Sequence, residues 1–436
     1  MTPDLSVIIP ANNAARTLPA CLESLAKASG GLAVECILVD DGSSDDTAAI
    51  GKRHNVRVLA TGRNCGPALA RNLGVLEAGA DLLLFIDADV CVHEDTLRRV
   101  LESFREDERL DALIGSYDDA PAEPDFVSLY KNLMHCFVHH TGRSEASTFW
   151  GGCGAIRKSV FLEHSGFDES FARPSIEDIE LGYRLHVAGR KMTLDPAIQV
   201  KHLKRWTLVQ LVKTDVLNRG IPWTELILRD SRMPNDLNVQ LSQRVSVALV
   251  FLLLAAGIGA AIHLRDVFLL PLFALLLIAL GSYWLDAIVS RSRLGLAVVT
   301  LATAAIAWRA WERRMPGVFL AVVTAYVLPF MRHRYSGKAG SGGTIGTLSF
   351  LAIAAICVAA TVVHMPVHPW TVVFFGLLLA LVELNNSFYL FLAAKRGRFF
   401  AIAAIPFHLL YHCYNGVSFI VGAARYVWLK GRRQTR

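Results

Sequence analysis

Two aspartates near the middle of the first half have the spacing for metal chemistry. Asp87 and Asp89 end the apolar stretch "LLLFIDAD". Residues two apart on an extended chain point the same way, and two adjacent carboxylates suit a divalent cation bound to a phosphate. The same pair is also compatible with ending a strand and capping the next helix. Taken alone, the pair leaves both alternatives open.

A second acidic pair, Asp40 and Asp41, opens the stretch "DDGSSDDT". A carboxylate at a strand end can accept a hydrogen bond from a base N–H or a ribose hydroxyl. The alternative is an Asx turn followed by a helix cap, which uses the same residue types. Both interpretations stay open for this pair.

A third acidic group, Glu177 and Asp178, lies in "SIEDIEL". Ser175 and Asp178 have the spacing of a capping box. Asp178 has the alternative role of a general base that takes a proton from a hydroxyl acceptor. A helix N-terminus lowers the pKa of a carboxylate, so we expect Asp178 to be ionised.

The elements that must position these residues alternate between short apolar strands and amphipathic helices up to about residue 203. This order predicts an α/β domain with a largely parallel sheet covered on both faces. Ligands bind such sheets at the carboxyl ends of the strands. Polar residues at three strand ends are therefore expected to converge on one edge: Asn12 and Asn13, Asp40 and Asp41, and Asp87 and Asp89.

Charge and hydropathy divide the chain of 436 residues into two parts. Apolar residues make up 53% and the mean hydropathy is +0.39, which is high for a soluble protein. The first 240 residues carry 26 basic and 34 acidic residues, whereas the remainder carries 18 and four. The basic excess lies in short clusters between apolar runs, as in cytoplasmic membrane loops, so we expect a membrane and no nucleic acid as partner.

The domains predicted from this division are a cytosolic domain, 1–235, and an all-α multi-span membrane domain, 236–436. Apolar runs long enough to cross a bilayer cover 245–262, 267–289, 345–363 and 369–393. Three segments are shorter or interrupted by polar residues, at 294–307, 316–331 and 399–424. The first two are compatible with a tight hairpin or surface helices, and the third favours a re-entrant or interfacial helix.

In this order, six stretches resemble the family 2 inverting glycosyltransferases, which have a Rossmann-like nucleotide-diphosphosugar fold. The stretches are "SVIIPANN", "VDDGSSDDT", "NCGPALARNLG", "LFIDADV", "GGCGAIRKSVFLEHSGFDE" and "IEDIELGYRLHVAGRKMTL", and the resemblance covers roughly residues 4–206. It implies transfer of a sugar from a nucleotide-diphosphosugar donor, expected to be a UDP-sugar.

The resemblance also implies roles for individual residues. The catalytic base would be Asp178, and Asp89 would hold Mg²⁺ or Mn²⁺ on the diphosphate with Asp87 beside it. The remaining implied donor-binding residues are Pro10, Asn12, Asn13, Asp41, Arg71 and Gly152. A phosphate acceptor is already ionised and needs no base, so the "ED" pair favours a hydroxyl acceptor.

The basic stretch "KHLKRW" follows the "ED" segment and precedes the apolar half. It resembles the QxxRW motif of membrane glycosyltransferases such as cellulose, chitin and hyaluronan synthases and ceramide glucosyltransferases, with His202 at the glutamine position. The resemblance implies that Arg205 contacts the diphosphate and Trp206 lines the acceptor site. The alternative is an aromatic, basic anchor at the membrane surface.

The predicted function is transfer of a sugar to a hydroxyl of a lipid or lipid-linked acceptor. We expect a multi-pass protein of a bacterial-type cytoplasmic (inner) membrane, with its catalytic domain in the cytosol. The enzyme alternative is a processive polysaccharide synthase. The alternative of another class is a catalytically silent membrane scaffold or exporter, although neither Asp89 nor Asp178 is lost.

Overall fold

A computed structural model describes residues 2–231, 233, 237–262 and 369–434, with isolated positions at 304, 308 and 312. The predicted segments 267–289, 316–331 and 345–363, and 294–307 apart from one position, lie outside the described residues. Contacts divide the chain into two compact units, Met1–Gln243 with Leu390–Arg436, and Arg244–Tyr389.

The first unit contains an eight-stranded sheet in the part of the chain that is described. Its strands follow the order β3-β2-β1-β4-β7-β6-β8-β5. They are β1 Leu5–Ala11, β2 Val34–Asp40, β3 Arg57–Ala60, β4 Leu82–Ile86, β5 Val90–Val92, β6 Ala112–Tyr117, β7 Cys153–Arg157 and β8 Met192–His202.

The sheet is mixed, where the sequence predicted a largely parallel one. Strands β3, β2, β1 and β4 are parallel. Strand β7 runs antiparallel to β4 and β6, and β8 is parallel to β6 and antiparallel to β5. The alternation of strands and helices in the sequence indicates only the parallel half of the sheet, because a crossover helix connects two parallel strands.

Both faces of the sheet are covered, which explains why the strands read as continuous apolar runs. In β1, Val7 and Ile9 contribute to one buried cluster, and Ile8 contributes to the other. The same alternation places Leu84 and Phe85 of β4 on opposite faces, as the two-residue period of a strand requires.

The helices of this unit pack on the sheet and lead away from it. They are α1 Leu18–Ala28, α2 Thr47–Arg53, α3 Pro67–Glu77, α4 Thr96–Glu106, α5 Phe126–Thr141, α6 Lys158–Glu163, α7 Glu177–Val187, α8 Leu208–Lys213 and α9 Ile221–Asp230. A π-helical stretch, Thr214–Gly220, joins α8 to α9, and a short 3₁₀ turn spans Leu237–Val239.

The later helices are α10 Leu241–Ile262, α11 Pro369–Leu384, α12 Asn386–Arg396 and α13 Arg398–Gln434. Within the described residues, Leu241–Gly259 is long and apolar enough to cross a membrane. Val373–Leu384 and Asn386–Arg396 pass the same test together but are bent by 63°. The break lies at Asn385, whose side-chain amide donates to Ser246 Oγ (2.9 Å) and to the Leu381 carbonyl (2.9 Å).

Candidate active site

A cleft of about 480 Å³ lies at the carboxyl ends of β1, β2 and β4. The polar residues that follow these three strands converge there, as ligand sites on α/β sheets do. Nine of the candidate residues identified in the sequence line the cleft: Pro10, Asn12, Asn13, Asp41, Arg71, Asp87, Asp89, Glu177 and Asp178.

The loop after β1 is bound to the loop after β2. The Asn12 side-chain amide donates to the Asp41 carbonyl (2.7 Å). Asn13 has a left-handed backbone (φ 52°), a conformation that asparagine tolerates better than most residues. Its Oδ1 accepts from the Ser44 N–H (2.9 Å). Both asparagines therefore have a role in shaping the cleft.

The Asp41 carboxylate is buried and holds the following loop. It accepts hydrogen bonds from Thr61 Oγ1 (2.8 Å), the Cys65 N–H (2.9 Å) and the Gly66 N–H (2.8 Å). Gly66 is left-handed (φ 98°), and a Cβ there would lie 2.6 Å from the Ala172 carbonyl carbon. The strand-end carboxylate thus fixes a tight loop at the rim of the cleft.

Arg71 of α3 lies at the centre of the site, where it connects two acidic groups from distant parts of the chain. Its Nη2 donates to Asp87 Oδ1 (2.8 Å), and its Nη1 donates to Glu177 Oε1 (2.9 Å). The guanidinium is buried, and a Cβ at Gly151 would lie 3.0 Å from its Cζ. A single cation thereby joins the end of β4 to the start of α7.

Asp89 is the less engaged of the two aspartates after β4. Its side chain is 29% exposed, and His202 Nε2 lies 3.8 Å from its Oδ2. Burial raises the pKa of Asp89, and Lys204 acts in the opposite direction. Burial also raises the pKa of Asp87, against the effect of Arg71. Two cleft-facing carboxylates that are costly to charge are a donor set that a divalent cation would stabilise.

Asp178 lies in the first turn of α7 and accepts two backbone hydrogen bonds. The Gly151 N–H donates to its Oδ2 (3.0 Å), and the Ile179 N–H donates to its Oδ1 (2.8 Å). Burial and the neighbouring Glu177 carboxylate raise the pKa of Asp178 to about 6. The expectation of a lowered pKa was wrong, because burial and repulsion outweigh the helix dipole and the two backbone donors.

The capping box expected for Ser175 and Asp178 is absent. The residue before α7 is Ile176, and no side chain caps the helix. Instead the Ser175 N–H donates to Glu177 Oε2 (2.9 Å), and Ser175 Oγ donates to the Asn218 carbonyl (2.8 Å). Helix capping therefore does not account for Asp178.

Gly152 is not among the residues that line the cleft. A Cβ at this position would lie 2.7 Å from Cζ2 of the Trp150 indole. Trp150 itself lines the cleft and packs edge-on against Tyr117, with ring centroids 4.8 Å apart. Glycine at 152 thus permits Trp150 to lie across the backbone at the base of the cleft.

Only part of the end of "KHLKRW" lies at the cleft. Arg205 is exposed, and neither it nor Trp206 is among the lining residues. Trp206 is 5% exposed, and its backbone N–H donates to Ser128 Oγ (2.8 Å). Lys204 does line the cleft, and its Nζ lies 4.4 Å from the centroid of the Trp206 ring.

His202, at the glutamine position of the motif, ends β8 beside Asp89. Its ring stacks on Tyr117 with centroids 4.4 Å apart. Burial and the charge of Lys204 lower the pKa of His202 to about 3. The imidazole is therefore neutral, and it packs as an aromatic ring beside the carboxylate.

Two further lining residues, Arg219 and Trp223, were missed in the sequence. They have the same spacing of four residues as His202 and Trp206, in "RGIPW". Trp223 Nε1 donates to the hydroxyl of Tyr183 on α7 (2.9 Å). A second search for a basic or polar residue four before a tryptophan would have found this pair.

Residues 6–164 match the family model described as Glycosyl transferase family 2. The chain is 29% identical over 242 residues to the succinoglycan biosynthesis protein ExoO of Rhizobium meliloti, covering 52% of this chain and 68% of that protein. It is 26% identical over 213 residues to the poly-beta-1,6-N-acetyl-D-glucosamine synthase of Staphylococcus aureus, covering 45% of this chain and 49% of the synthase. The match therefore spans about half the length of the synthase.

Two solved structures overlap with this one. Mannosyltransferase PcManGT from Pyrobaculum calidifontis, in complex with GDP-Man and Mn²⁺, is 15% identical, covers 88% of this chain and 87% of its own, and has a TM-score of 0.37. TarS of S. aureus is 19% identical, covers 52% of this chain and 39% of its own, and has a TM-score of 0.39. Scores this low have no bearing on function.

The matched model covers the strand ends that are followed by Asn12, Asp41 and Asp87, and the relatives are named for the synthesis of polysaccharides. These matches indicate a glycosyltransferase, and residues 6–164 are similar to glycosyl transferase family 2.

Proposed function

We propose that the protein transfers a sugar, with inversion, from a nucleotide-diphosphosugar to a hydroxyl of a lipid or lipid-linked acceptor. One observation carries the proposal: Asp87, Asp89 and Asp178 face a single cleft, and Asp178 has a pKa of about 6. A carboxylate with that pKa is ionised at neutral pH and more basic than an ordinary aspartate, as a general base requires.

The donor would lie along the ends of β1 and β2. Pro10, Asn12, Asn13 and Asp41 would bind the nucleoside, because they form the rim of the cleft. Arg71 would act beside the phosphates mainly by holding Asp87 and Glu177, since both ends of its guanidinium are engaged. Gly152 would contribute by allowing Trp150 to form the floor.

Asp89 would hold a divalent cation, Mg²⁺ or Mn²⁺, with Asp87 beside it. Among the described residues no group of three or more His, Cys, Asp and Glu side chains is suited to a metal ion. Diphosphate oxygens and water would therefore complete the ligand set. When bound, the cation would supply positive charge for the leaving diphosphate.

Lys204 and Arg219 are better placed than Arg205 to face the diphosphate, because both line the cleft. We assign to Trp223 the contact with the acceptor that the QxxRW resemblance implied for Trp206. Trp223 and Ile179, the residue after the proposed base, pack against the same small apolar cluster, and both line the cleft. Arg205 is exposed and Trp206 is buried just after the end of β8. These positions fit a role in fixing this part of the chain to the domain.

In the proposed reaction, Asp178 takes the proton of the acceptor hydroxyl. The acceptor oxygen forms a bond to the anomeric carbon from the face opposite the diphosphate. The bond between that carbon and the diphosphate oxygen breaks, and its electron pair leaves with the nucleoside diphosphate. The anomeric configuration is thereby inverted.

A membrane location is supported by α10 and by the bent pair α11 and α12. It is also supported by the further apolar stretches of the sequence and by their basic flanks. We propose a multi-pass protein of a bacterial-type inner membrane, with the family 2 domain in the cytosol. The proposed domains remain 1–235 and 236–436.

The test is release of nucleoside diphosphate by the full-length protein in membranes or detergent, with Mn²⁺ and a panel of sugar nucleotides. Mass spectrometry of the lipid fraction then identifies the acceptor. We expect release from one donor and a lipid whose mass increases by one sugar. No release from any donor in the presence of membrane lipids would refute the proposal.

A processive polysaccharide synthase is the second candidate, favoured by the similarity to a poly-beta-1,6-N-acetyl-D-glucosamine synthase. The same experiment separates the two candidates by product length. A ladder of products that differ by one sugar would indicate polymerisation, whereas a single mass increment would indicate one addition.

A further inference from the structure

Arg219 reaches the cleft from the π-helical stretch Thr214–Gly220. Such stretches are rare and are often found at functional sites. A sparsely populated backbone form persists only where neighbouring groups determine it. The contacts that hold this stretch therefore bear on where Arg219 points.

Asp215 is the buried centre of those contacts. Lys131 of α5 donates to both of its oxygens, each at 2.8 Å. The hydroxyl of Tyr414, on α13, donates to Oδ2 (2.7 Å), and Arg219 Nη1 lies 3.7 Å from Oδ1. The side chains of Lys131 and Asp215 are only 10% and 6% exposed. Three elements thus meet on a single carboxylate.

The charge of this cluster is suited to orienting Arg219. Burial opposes ionisation, but Lys131 and Arg219 lower the pKa of Asp215 below its usual value. One carboxylate with two cations leaves one positive charge. The Lys131 side chain is 10% exposed, whereas the Arg219 side chain is 45% exposed, so the remaining charge is presented to the cleft.

Close backbone contacts tie the same stretch to α13. A Cβ at Gly220 would lie 2.6 Å from Ser418 Cβ, and a Cβ at Gly422 would lie 2.7 Å from Thr224 Cβ. Ser418 Oγ donates to the Tyr414 carbonyl (2.7 Å). Glycines at both positions let α13 approach closely enough for Tyr414 to reach Asp215.

The same part of the chain is also bound to α7, which carries the proposed base, and to the loop before it. Ser175 Oγ donates to the Asn218 carbonyl (2.8 Å), and Trp223 donates to Tyr183 (2.9 Å). The segment from 214 to 223 thus lies between α13 and the helix of Asp178.

We propose that Asp215 is a positioning residue, and that Tyr414 of α13 acts through it to hold Arg219 in the cleft for sugar transfer. The C-terminal helix is then part of the catalytic apparatus, although none of its residues lines the cleft. This inference rests on the proposed function for the reaction itself, but the hydrogen-bonded connection can be tested without it.

The first experiment measures hydrogen–deuterium exchange in the full-length protein. Tyr414→Phe removes one hydroxyl and keeps the ring, so we expect faster exchange in peptides spanning 214–223. The matched control is Tyr426→Phe, which removes a hydroxyl from the same helix about three turns further on. Unchanged exchange in Tyr414→Phe, or equal changes in both variants, would refute the connection whether or not a donor has been found.

The second experiment is a double-mutant cycle on nucleoside diphosphate release. We expect Tyr414→Phe to lower kcat/KM about fivefold, the worth of one hydrogen bond. In an Arg219→Met background it should cause no further loss, because the effect passes through Arg219. An equal loss in both backgrounds would mean a general structural role and would overturn the proposal. A wild-type protein inactive with every donor would instead refute the proposed function and leave the exchange result standing.

Discussion

The Arg71 guanidinium lies 2.8 Å from the carboxylate of Asp87, and its other amino group binds Glu177. Asp87 directly follows β4 and Glu177 begins α7, so a buried cation connects the proposed metal site to the helix of the proposed base. Breaking one side of a buried ion pair leaves an uncompensated charge. The geometry of the site is therefore linked to the stability of the domain.

Arg71→Lys is expected to destabilise the domain by about 1–3 kcal/mol, because a single ammonium cannot reproduce the fork that reaches both carboxylates. Thermal or urea unfolding of the full-length protein measures the loss. The control is Arg57→Lys, in an exposed pair with Glu77, where the expected change is below about 0.5 kcal/mol. Equal effects in the two variants would contradict a central role for Arg71.

Asp178→Asn is expected to lower kcat by about 10²- to 10⁴-fold, the usual contribution of a general base. The KM for the donor should change little, because the proposed contact is with the acceptor. Asp81→Asn is a matched control: Asp81 is exposed at the other end of β4. Near-normal turnover by Asp178→Asn would remove Asp178 from the mechanism.

The rate should depend on pH through the ionisation of Asp178. Its pKa in the folded protein is raised to about 6, and the base acts only when it is deprotonated. Activity is therefore expected to rise between about pH 5 and pH 7 and to be lost as the pH falls below about 6. A profile of kcat/KM that stays flat down to about pH 4.5, with the protein still folded, would contradict this assignment.

Asp89→Asn is expected to weaken the binding of Mn²⁺, so that the Mn²⁺ concentration that gives half-maximal activity rises about tenfold or more. The physical reason is the loss of a carboxylate charge that offsets the charge of the cation. Titration of nucleoside diphosphate release with Mn²⁺ measures the change. An unaltered titration curve would place the cation elsewhere, and Asp81→Asn again serves as the control.

Lys204→Ala is expected to raise the KM for the donor about tenfold, the worth of one hydrogen bond from a charged group. Arg205→Ala should leave it within about twofold, since Arg205 is exposed and does not line the cleft. Each substitution removes one positive charge, and the two positions are adjacent. A difference between the two KM values therefore reflects where each side chain points and not the loss of charge itself. A larger rise in KM for Arg205→Ala than for Lys204→Ala would instead assign the diphosphate contact to Arg205.

The sequence alone was sufficient to predict the parallel half of the sheet and the edge at which its polar residues meet. The strands that precede Asn12, Asp41 and Asp87 are local apolar runs followed by polar residues, and parallel strands bring such ends to one edge. The glycosyltransferase identity followed from the same ordered motifs. These features depend on residues close together in the chain.

What only the tertiary structure decided involves residues far apart in the chain. Burial beside Glu177 raised the pKa of Asp178 where its helix position suggested the opposite. Strand β7 pairs antiparallel with β4, and no strand–helix–strand pattern in the sequence indicates such a pair. After His202 the chain directs Lys204, and not Arg205, to the cleft. Arg219 faces the cleft from beside Asp215, which is paired with residues 84 and 199 positions away. Periodicity and spacing report local geometry, whereas desolvation and side-chain direction depend on the whole packed environment.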